Sequence, residues 1–555
     1  MERLTGAEIA VRLLERQGVR TVAGIPGGAV LPLYDALSVS SVLHHVLARH
    51  EQGAGFIAQG IARATGWVGV CIASSGPGAT NLLTAIADAK LDSIPLVALT
   101  GQVPRALIGT DAFQEVDTYG LSIPITKHSF HVRSAEQLLE VLPRAFNIAL
   151  SGRPGPVLID IPKDVQTETA DVTRWPAPGC RDPLLALDGE ALDRAAAMIN
   201  ASHRPILYLG GGIVHAGAAG TAVAFAEKVS SPTVMTLMAL GAMPPEHTLS
   251  LGMLGMHGAR YTNRALDECD LLIAAGARFD DRATGKVAEF CPRAKVIHID
   301  IDPAELGKIK TAHVGIVNDV DTVLRALLLR VQPKRRSPWR SRIAELKAEF
   351  PLRLPGRENL HQPYGLIAAV AESLDDSAIV TTDVGQHQMW VAQSYPLRRS
   401  RQWLTSGGLG TMGFGLPAAI GAGLAQPERT VVCFSGDGSI LMNLQELATA
   451  ADQQVNVKIV LMNNRALGLV HQQQGLFYGG RSFAARYDAS PSFVKLAEAF
   501  GVRGIDLDIA ADPRQALAAA LVARGPCLIH ASIDAAERVF PMVPPGAGNM
   551  EMVEG

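Results

Sequence analysis

Ser435-Gly436-Asp437-Gly438-Ser439 closes the apolar run Thr430-Val431-Val432-Cys433-Phe434, and Asn463-Asn464 closes a second run, Lys458-Ile459-Val460-Leu461-Met462. Both runs are short, rich in β-branched residues and end in turn formers, which predicts two buried parallel strands. Between them, residues 441–453 place Leu441, Leu444, Leu447 and Ala448 on one helical face, so the unit reads strand, crossover helix, strand. Asp437 and Asn464 then emerge side by side at the carboxyl edge of a sheet, where open α/β sheets bind ligands. Gly436 and Gly438 let backbone N–H groups approach phosphate oxygens with no Cβ in the way. A carboxylate, a side-chain amide oxygen and a backbone carbonyl, for which Ala466 is the candidate, are hard ligands suited to octahedral magnesium, with a diphosphate and a water completing the shell. Gly-Asp-Gly alone is usually an ordinary turn; asparagines at the tip of the adjoining strand make the pattern specific.

The same alternation extends on both sides. Residues 1–166 alternate helical patterns with strand-like runs at 68–73, 96–100 and 157–161, and residues 187–330 do so with runs at 205–209, 271–275 and 295–299. Residues 360–533 hold the opening motif and a further run at 378–382, and 534–555 form a tail. The proline-bearing 167–183 and the basic Gln332-Pro333-Lys334-Arg335-Arg336-Ser337-Pro338 read as exposed links. The predicted fold class is α/β, with three doubly wound parallel-sheet domains. The first and third share the same alternation, which suggests a duplicated architecture.

A chain of 555 residues accommodates roughly three or four domains. Its 48% apolar and 19% charged content excludes disorder, and a net charge of −3 gives no drive toward nucleic acid or an anionic membrane. Six scattered cysteines without zinc-ligand spacing read as reduced core residues. Glu2 and Glu8 open the chain in an amphipathic helical pattern with no apolar leader, which predicts a cytoplasmic protein. The uncharged stretch 402–427 is broken by glycines and prolines, so it reads as buried loop and helix, not a membrane span.

The paired motif resembles the signature of the thiamine diphosphate enzymes, and the three units map onto their pyrimidine-binding, central and diphosphate-binding domains. A narrower likeness lies in Ile25-Pro26-Gly27-Gly28, Ser74-Ser75-Gly76-Pro77-Gly78-Ala79-Thr80-Asn81, Gly109-Thr110-Asp111-Ala112-Phe113-Gln114-Glu115 and Ser151-Gly152-Arg153-Pro154-Gly155-Pro156. These resemble the acetolactate synthase catalytic subunits, and the likeness covers essentially the whole chain. It implies that pyruvate is decarboxylated on thiamine diphosphate and that the two-carbon unit is transferred to a second 2-oxo acid.

Glu51, in Arg49-His50-Glu51-Gln52-Gly53-Ala54, would by itself be a helix-start carboxylate favoured by the macrodipole. The resemblance implies that it hydrogen-bonds N1′ of the aminopyrimidine and promotes the imino tautomer, facing the magnesium motif of another subunit, so that a homodimer or dimer of dimers is required. It further implies magnesium on Asp437, Asn464 and the Ala466 carbonyl; diphosphate contacts from Gln386, His387, Gly438 and Ser439; the Gly410 carbonyl accepting from the 4′-amino group; and Met412 wedged between the coenzyme rings. Gly28, Phe113 and Gln114 complete the implied catalytic set; Lys163, placed with them, reads together with Arg278 as a cationic partner for substrate or cofactor or as a plain surface charge. Phe113-Gln114 stand where simple pyruvate decarboxylases carry a His-His pair, so no acid quenches the carbanion, and His44-His45 reads as ordinary packing instead of a substitute.

Arg153, Gly210, Gly211, Gly212, Met256, His257, Gly258, Gly276, Arg278, Asp300 and Asp319 resemble the family's FAD site, and since the overall reaction is redox-neutral the flavin is expected to be structural. Gln473 falls where most members carry a tryptophan lining the acceptor pocket, as in the bacterial isozyme I type of low acceptor selectivity. Losing a flat wall forfeits the roughly 1–3 kcal/mol that an extra methylene can supply. A small regulatory subunit is implied, and the tail is expected to cover the active-site mouth. Two rivals are a flavin-reducing pyruvate oxidase and a non-catalytic flavoprotein scaffold; Glu51, Asp437 and Asn464 together argue against the scaffold. Gly408-Leu409-Gly410-Thr411-Met412-Gly413 also matches a dinucleotide fingerprint, but Glu428 comes too early to serve as its acidic partner.

Overall fold

The computed structural model describes residues 1–554. Three six-stranded parallel sheets form in succession, each flanked by helices. In the first, the strands lie in the order His44–Leu47, Thr21–Gly24, Gly69–Ala73, Leu96–Gln102, Pro156–Pro162, His128–His131. In the third, the order is Trp403–Leu404, Ile379–Thr382, Val431–Gly436, Val457–Asn463, Cys527–Ser532, Arg503–Asp506. Numbered by chain order within each unit, both read 2-1-3-4-6-5, the duplication suggested by the sequence. The central sheet differs, reading 3-2-1-4-5-6 from Ser250–Met253 through Pro205–Leu209 and Leu271–Ala275 to Val314–Val317. In each sheet the strand order reverses beside the first strand, leaving a crevice at its carboxyl end.

The central strands are fully buried because helices cover both faces, which explains their uninterrupted Val, Ile and Leu runs. The first and third units meet through helices Glu51–Thr65 and Gly415–Ala425. Their backbones touch at glycines: a Cβ on Gly60 would lie 2.1 Å from the Ala418 carbonyl oxygen, and one on Gly421 1.9 Å from that of Ile57. Phe56 and Phe414 close the joint edge to face, with centroids 5.3 Å apart. Gly421→Val should therefore force the helices apart and cost on the order of 3 kcal/mol, read as a lowered urea midpoint.

Several local expectations are corrected. The crossover helix starts at Glu446, not 441, because strand Val431–Gly436 runs straight into a short helix, Asp437–Ile440, and the turn after it is fixed by Asn443 Nδ2 donating 2.8 Å to the Gly413 carbonyl. Leu441 is consequently exposed. Glu2 lies in a strand, Glu2–Thr5, paired antiparallel with Thr169–Val172, so the expected link 167–183 begins as sheet. The basic link is not freely solvated either. Arg336 donates to the Ile199, Val229 and Ser202 carbonyls at the ends of two helices, where a cation meets the negative end of each dipole. Helix Ser337–Glu349 follows and buries Trp339 against the central sheet. Cys180 is exposed, whereas the other five cysteines are buried. No helix among the described residues is long and apolar enough to cross a membrane.

Candidate active site

Asp437 leaves the tip of Val431–Gly436 at the reversal point of the third sheet. Both of its carboxylate oxygens are buried without a hydrogen-bond partner. Burial raises its pKa to about 6, against the pull of the nearby Asn464, Gly438 and Ala466 backbone N–H groups. Orphaned acceptors of this kind are costly unless compensated, and their chemistry fits a hard cation. Asn464 sits at the tip of the neighbouring strand; its Oδ1 accepts from Ala466 N at 3.1 Å and its Nδ2 donates to Gln386 Oε1 at 3.1 Å, so the amide oxygen is turned into the same turn as Ala466. A cavity of about 160 Å³ is lined by Asp437, Gly438, Asn464, Ala466, Gly410 and Met412, among others.

His387 is buried and neutral, its pKa lowered to about 3 by desolvation. Its Nε2 has no partner, and its ring lies over Gly436, where a Cβ would come 2.9 Å from Nδ1. Gln386 and Ser439 are placed differently from the expectation. The Gln386 amide donates to Gln472 and to the Glu537 carbonyl, both at 2.9 Å, and the Ser439 hydroxyl donates 2.7 Å to the Val384 carbonyl. Neither side chain has a hydrogen left for phosphate, so at these two positions only backbone N–H groups, at the starts of helices Gln386–Ser394 and Asp437–Ile440, can serve, beside the unpartnered His387 Nε2.

Glu51 begins its helix as expected, and Asn81 Nδ2 donates 2.9 Å to its Oε2. The chain just before it is held by Glu446, whose Oε1 accepts from Arg49 N and His50 N, each at 3.0 Å. Glu51 does not, however, share a cavity with Asp437. Gly28, Glu51, Phe113, Gln114 and Lys163 line neither cavity of this site. Gly28 is exposed and Phe113 is 88% exposed, while Lys163 has no carboxylate partner among the described residues. His44 and His45 contact Gln453 and the Tyr34 hydroxyl, consistent with packing.

The larger cavity, about 670 Å³, lies at the reversal point of the central sheet. Gly210, Gly211, Gly212, Gly276, Arg278, Asp300, Asp319, Met256, His257 and Arg153 all line it. The glycines let two loops touch: a Cβ on Gly210 would lie 2.2 Å from the Gly276 carbonyl oxygen, and one on Gly212 2.7 Å from the Gly276 Cα. Gly258 is the exception. It packs into a backbone turn, where a Cβ would meet Met253 O and Leu254 C at 2.6 Å, so its smallness serves the turn. Burial raises Asp300 to about 6, and Asp319 caps helix Val320–Leu328 through Thr322 N. Gln473, on helix Gly468–Phe477, faces this cavity with Leu469 and Gly410, and the last two also line the smaller cavity, so the two adjoin there.

Sequence reasoning missed three supports. Gln472, fully buried, bonds both the N–H and the carbonyl of Val539, tying the tail to the helix that carries Gln473. His530 accepts from Asn463 Nδ2 at 3.0 Å through Nε2 and meets Asp506 at 3.0 Å through Nδ1, bracing the strand tip before Asn464. Asp383 accepts from Gly413 N and Gly415 N. Only the first had a visible signal, a glutamine run beside an apolar tail. The tail itself docks on the central unit, with Val543 N bonding Met256 O and Asn549 Nδ2 bonding Ala283 O, and it lines neither cavity beyond Ile533.

Three parallel six-stranded sheets in succession, the third with an unpartnered buried carboxylate at a strand tip, fit the thiamine pyrophosphate enzymes. Family profiles agree: the N-terminal TPP binding domain matches residues 4–121, the central domain 192–327 and the C-terminal TPP binding domain 383–531. The chain is 61% identical to the acetolactate synthase isozyme 1 large subunit of Escherichia coli K12, over 100% of this chain and 98% of that one. It is 49% identical to the isozyme 2 large subunit of the same organism (99% and 100% covered) and 46% identical to a probable acetolactate synthase large subunit of Methanocaldococcus jannaschii (99% and 95% covered). The chain belongs to the acetolactate synthase large-subunit family.

Proposed function

We propose that the chain is a thiamine diphosphate-dependent acetolactate synthase large subunit that also uses magnesium and FAD. It decarboxylates pyruvate and joins the two-carbon remainder to a second 2-oxo acid, pyruvate or 2-oxobutanoate, in branched-chain amino acid synthesis. The observation that carries this reading is the orphaned Asp437 carboxylate beside Asn464 at adjoining strand tips, in a chain whose full-length relatives share that name. Thiamine diphosphate, when bound, supplies a C2 carbanion that serves as nucleophile and electron sink.

The protein's part is placement. Asp437, Asn464 and the Ala466 carbonyl offer hard oxygens to magnesium, and His387 with the backbone around Gly438 offers N–H donors to the diphosphate. With the coenzyme bound, Glu51 would hold a proton at N1′, the Gly410 carbonyl would accept from the 4′-amino group, and Met412 would pack against the rings. Glu51, Gly28, Phe113, Gln114 and Lys163 line neither cavity of one chain, which supports assigning them to the site of a second copy, with the dimer as the active unit. Phe113 and Gln114 carry no acidic proton, so they would offer no general acid to the two-carbon unit, in keeping with its transfer to a second 2-oxo acid. The large cavity, with its Gly210 and Gly276 contact at a strand reversal, suits FAD. The relatives' designation as large subunits supports a small regulatory partner.

Product analysis with pyruvate, thiamine diphosphate, magnesium and FAD tests the reading. Acetolactate is expected; acetate with bleached flavin would mean an oxidase, and acetaldehyde a decarboxylase. With equal pyruvate and 2-oxobutanoate, acetolactate should remain a major product. Gln473→Trp should then shift the product ratio toward 2-aceto-2-hydroxybutanoate by about tenfold or more, and an unchanged ratio would remove Gln473 from the acceptor pocket.

A further inference from the structure

Loop 405–413, which presents the Gly410 carbonyl and Met412, is bonded along its first half to three buried charges from the amino-terminal unit. Arg63, on helix Glu51–Thr65, donates 2.8 Å to Asp92 and 3.2 Å to Asp88, and all three side chains are at most 5% exposed. Arg63 Nη1 also donates 2.9 Å to the Thr405 carbonyl. Asp92 accepts from Gly407 N at 3.1 Å and Gly408 N at 2.7 Å. Asp88 accepts from the Ser406 hydroxyl and, at 2.9 Å, from the Thr411 hydroxyl, while Ser406 Oγ accepts from Thr411 N at 2.8 Å. The far end of the loop is held by Asp383 through Gly413 N at 2.8 Å. Between these anchors, Gly410 takes a left-handed φ of +69°, a conformation that offers little stability of its own and needs its flanks fixed.

Two carboxylates on one guanidinium leave a net negative charge in the interior, and burial together with Asp92 pushes the Asp88 pKa up. Buried ion clusters seldom add stability over apolar packing; their best-attested use is to select one arrangement of the chain. Here every donor that compensates the excess charge comes from the loop. Residues with backbone or hydroxyl groups bonded to the cluster bracket Gly410 at positions 408 and 411, so the only freedom left is at the carbonyl-bearing turn itself.

We propose that Arg63, Asp88 and Asp92 are positioning residues that set the loop carrying the Gly410 carbonyl, and so the seat of the aminopyrimidine, from the opposite unit of the same chain. The proposal rests on the thiamine diphosphate reading given above. It predicts that weakening the cluster lowers coenzyme affinity and alters the pyrimidine's environment without unfolding the protein.

The test uses the dimeric, FAD-loaded protein with Asp92→Asn, which neutralises the acceptor of Gly407 and Gly408, and Thr411→Val, which removes one donor to Asp88 and leaves the Arg63 pairs intact. Thiamine diphosphate affinity is read by titration, and the seating of the bound pyrimidine by near-ultraviolet circular dichroism. Affinity in Asp92→Asn should fall at least about tenfold with an altered dichroic band. Thr411→Val should change in the same direction, with cooperative unfolding retained in the coenzyme-free protein. Wild-type affinity and dichroism in Asp92→Asn would overturn the proposal; if that variant does not fold, Thr411→Val with Ser406→Ala decides by the same readouts. Failure of the wild-type protein itself to bind thiamine diphosphate would instead remove the functional reading, and this proposal with it.

Discussion

Glu51→Gln is expected to leave thiamine diphosphate bound and to reduce acetolactate formation by about 10²- to 10⁴-fold, the range that a positioned acid–base group supplies. The substitution preserves volume and the start of helix Glu51–Thr65. Asn81, whose Nδ2 donates to Glu51 Oε2, can donate to the glutamine oxygen as well, so the side chain stays in place. What is lost is the ability to hold and release a proton at N1′. The kcat should fall while the coenzyme dissociation constant changes little, and a variant with near-normal turnover would show that another group handles that proton.

Asp437→Asn should have opposite effects on the empty and the loaded protein. In the coenzyme-free chain Asp437 is a buried carboxylate with two unpartnered oxygens, and removing its charge should stabilise the fold by about 1–3 kcal/mol at pH 8. The sign follows from its pKa of about 6, raised above the unfolded value. The native state binds the extra proton between those two values, so the wild-type chain loses stability as pH rises through that window. The advantage of the variant should therefore shrink near pH 5, where the wild-type carboxyl is itself protonated. In the loaded protein the same change removes the one anionic magnesium ligand proposed, and losing one partner of a buried charge contact costs about 3–5 kcal/mol, or roughly 10²- to 10⁴-fold in apparent magnesium affinity. A magnesium titration of activity alongside pH-dependent melts reads both effects. Equal magnesium dependence in variant and wild type would show that the cation is held elsewhere.

The strands and their functional edge were legible in the sequence because they are buried on both faces and end in glycine or asparagine. The pairs Val431–Gly436 and Val457–Asn463 emerge within a residue or two of the expected runs. The crossover helix was less legible. Leu441 and Leu444 fit a helical face, but a side-chain contact from Asn443 to a loop thirty residues away decided the turn, and no local pattern records such a contact. Lys334 and Arg336 read as solvated charges because composition cannot show that helix carboxyl ends lie within their reach. The same blindness applies at the site. Asp437 and Asn464 announce themselves through spacing, whereas Asp88, Asp92, Asp383 and His530 sit in ordinary helical or strand contexts and gain their roles only from where distant loops fold. Gln386 and Ser439 show the converse: their positions were legible, but their hydrogen bonds go to neighbours instead of to an incoming phosphate.

The central claim, that each site joins Glu51 of one chain to Asp437 of another, is tested most directly by complementation. Chains carrying Glu51→Gln and chains carrying Asp437→Asn, each inactive alone, are co-expressed with different tags and the mixed dimers assayed. A site built across two chains restores one intact site per heterodimer, so a random equal mixture should recover about a quarter of wild-type activity. A site built within one chain leaves no intact copy, and a mixture as inactive as its parents would contradict the account.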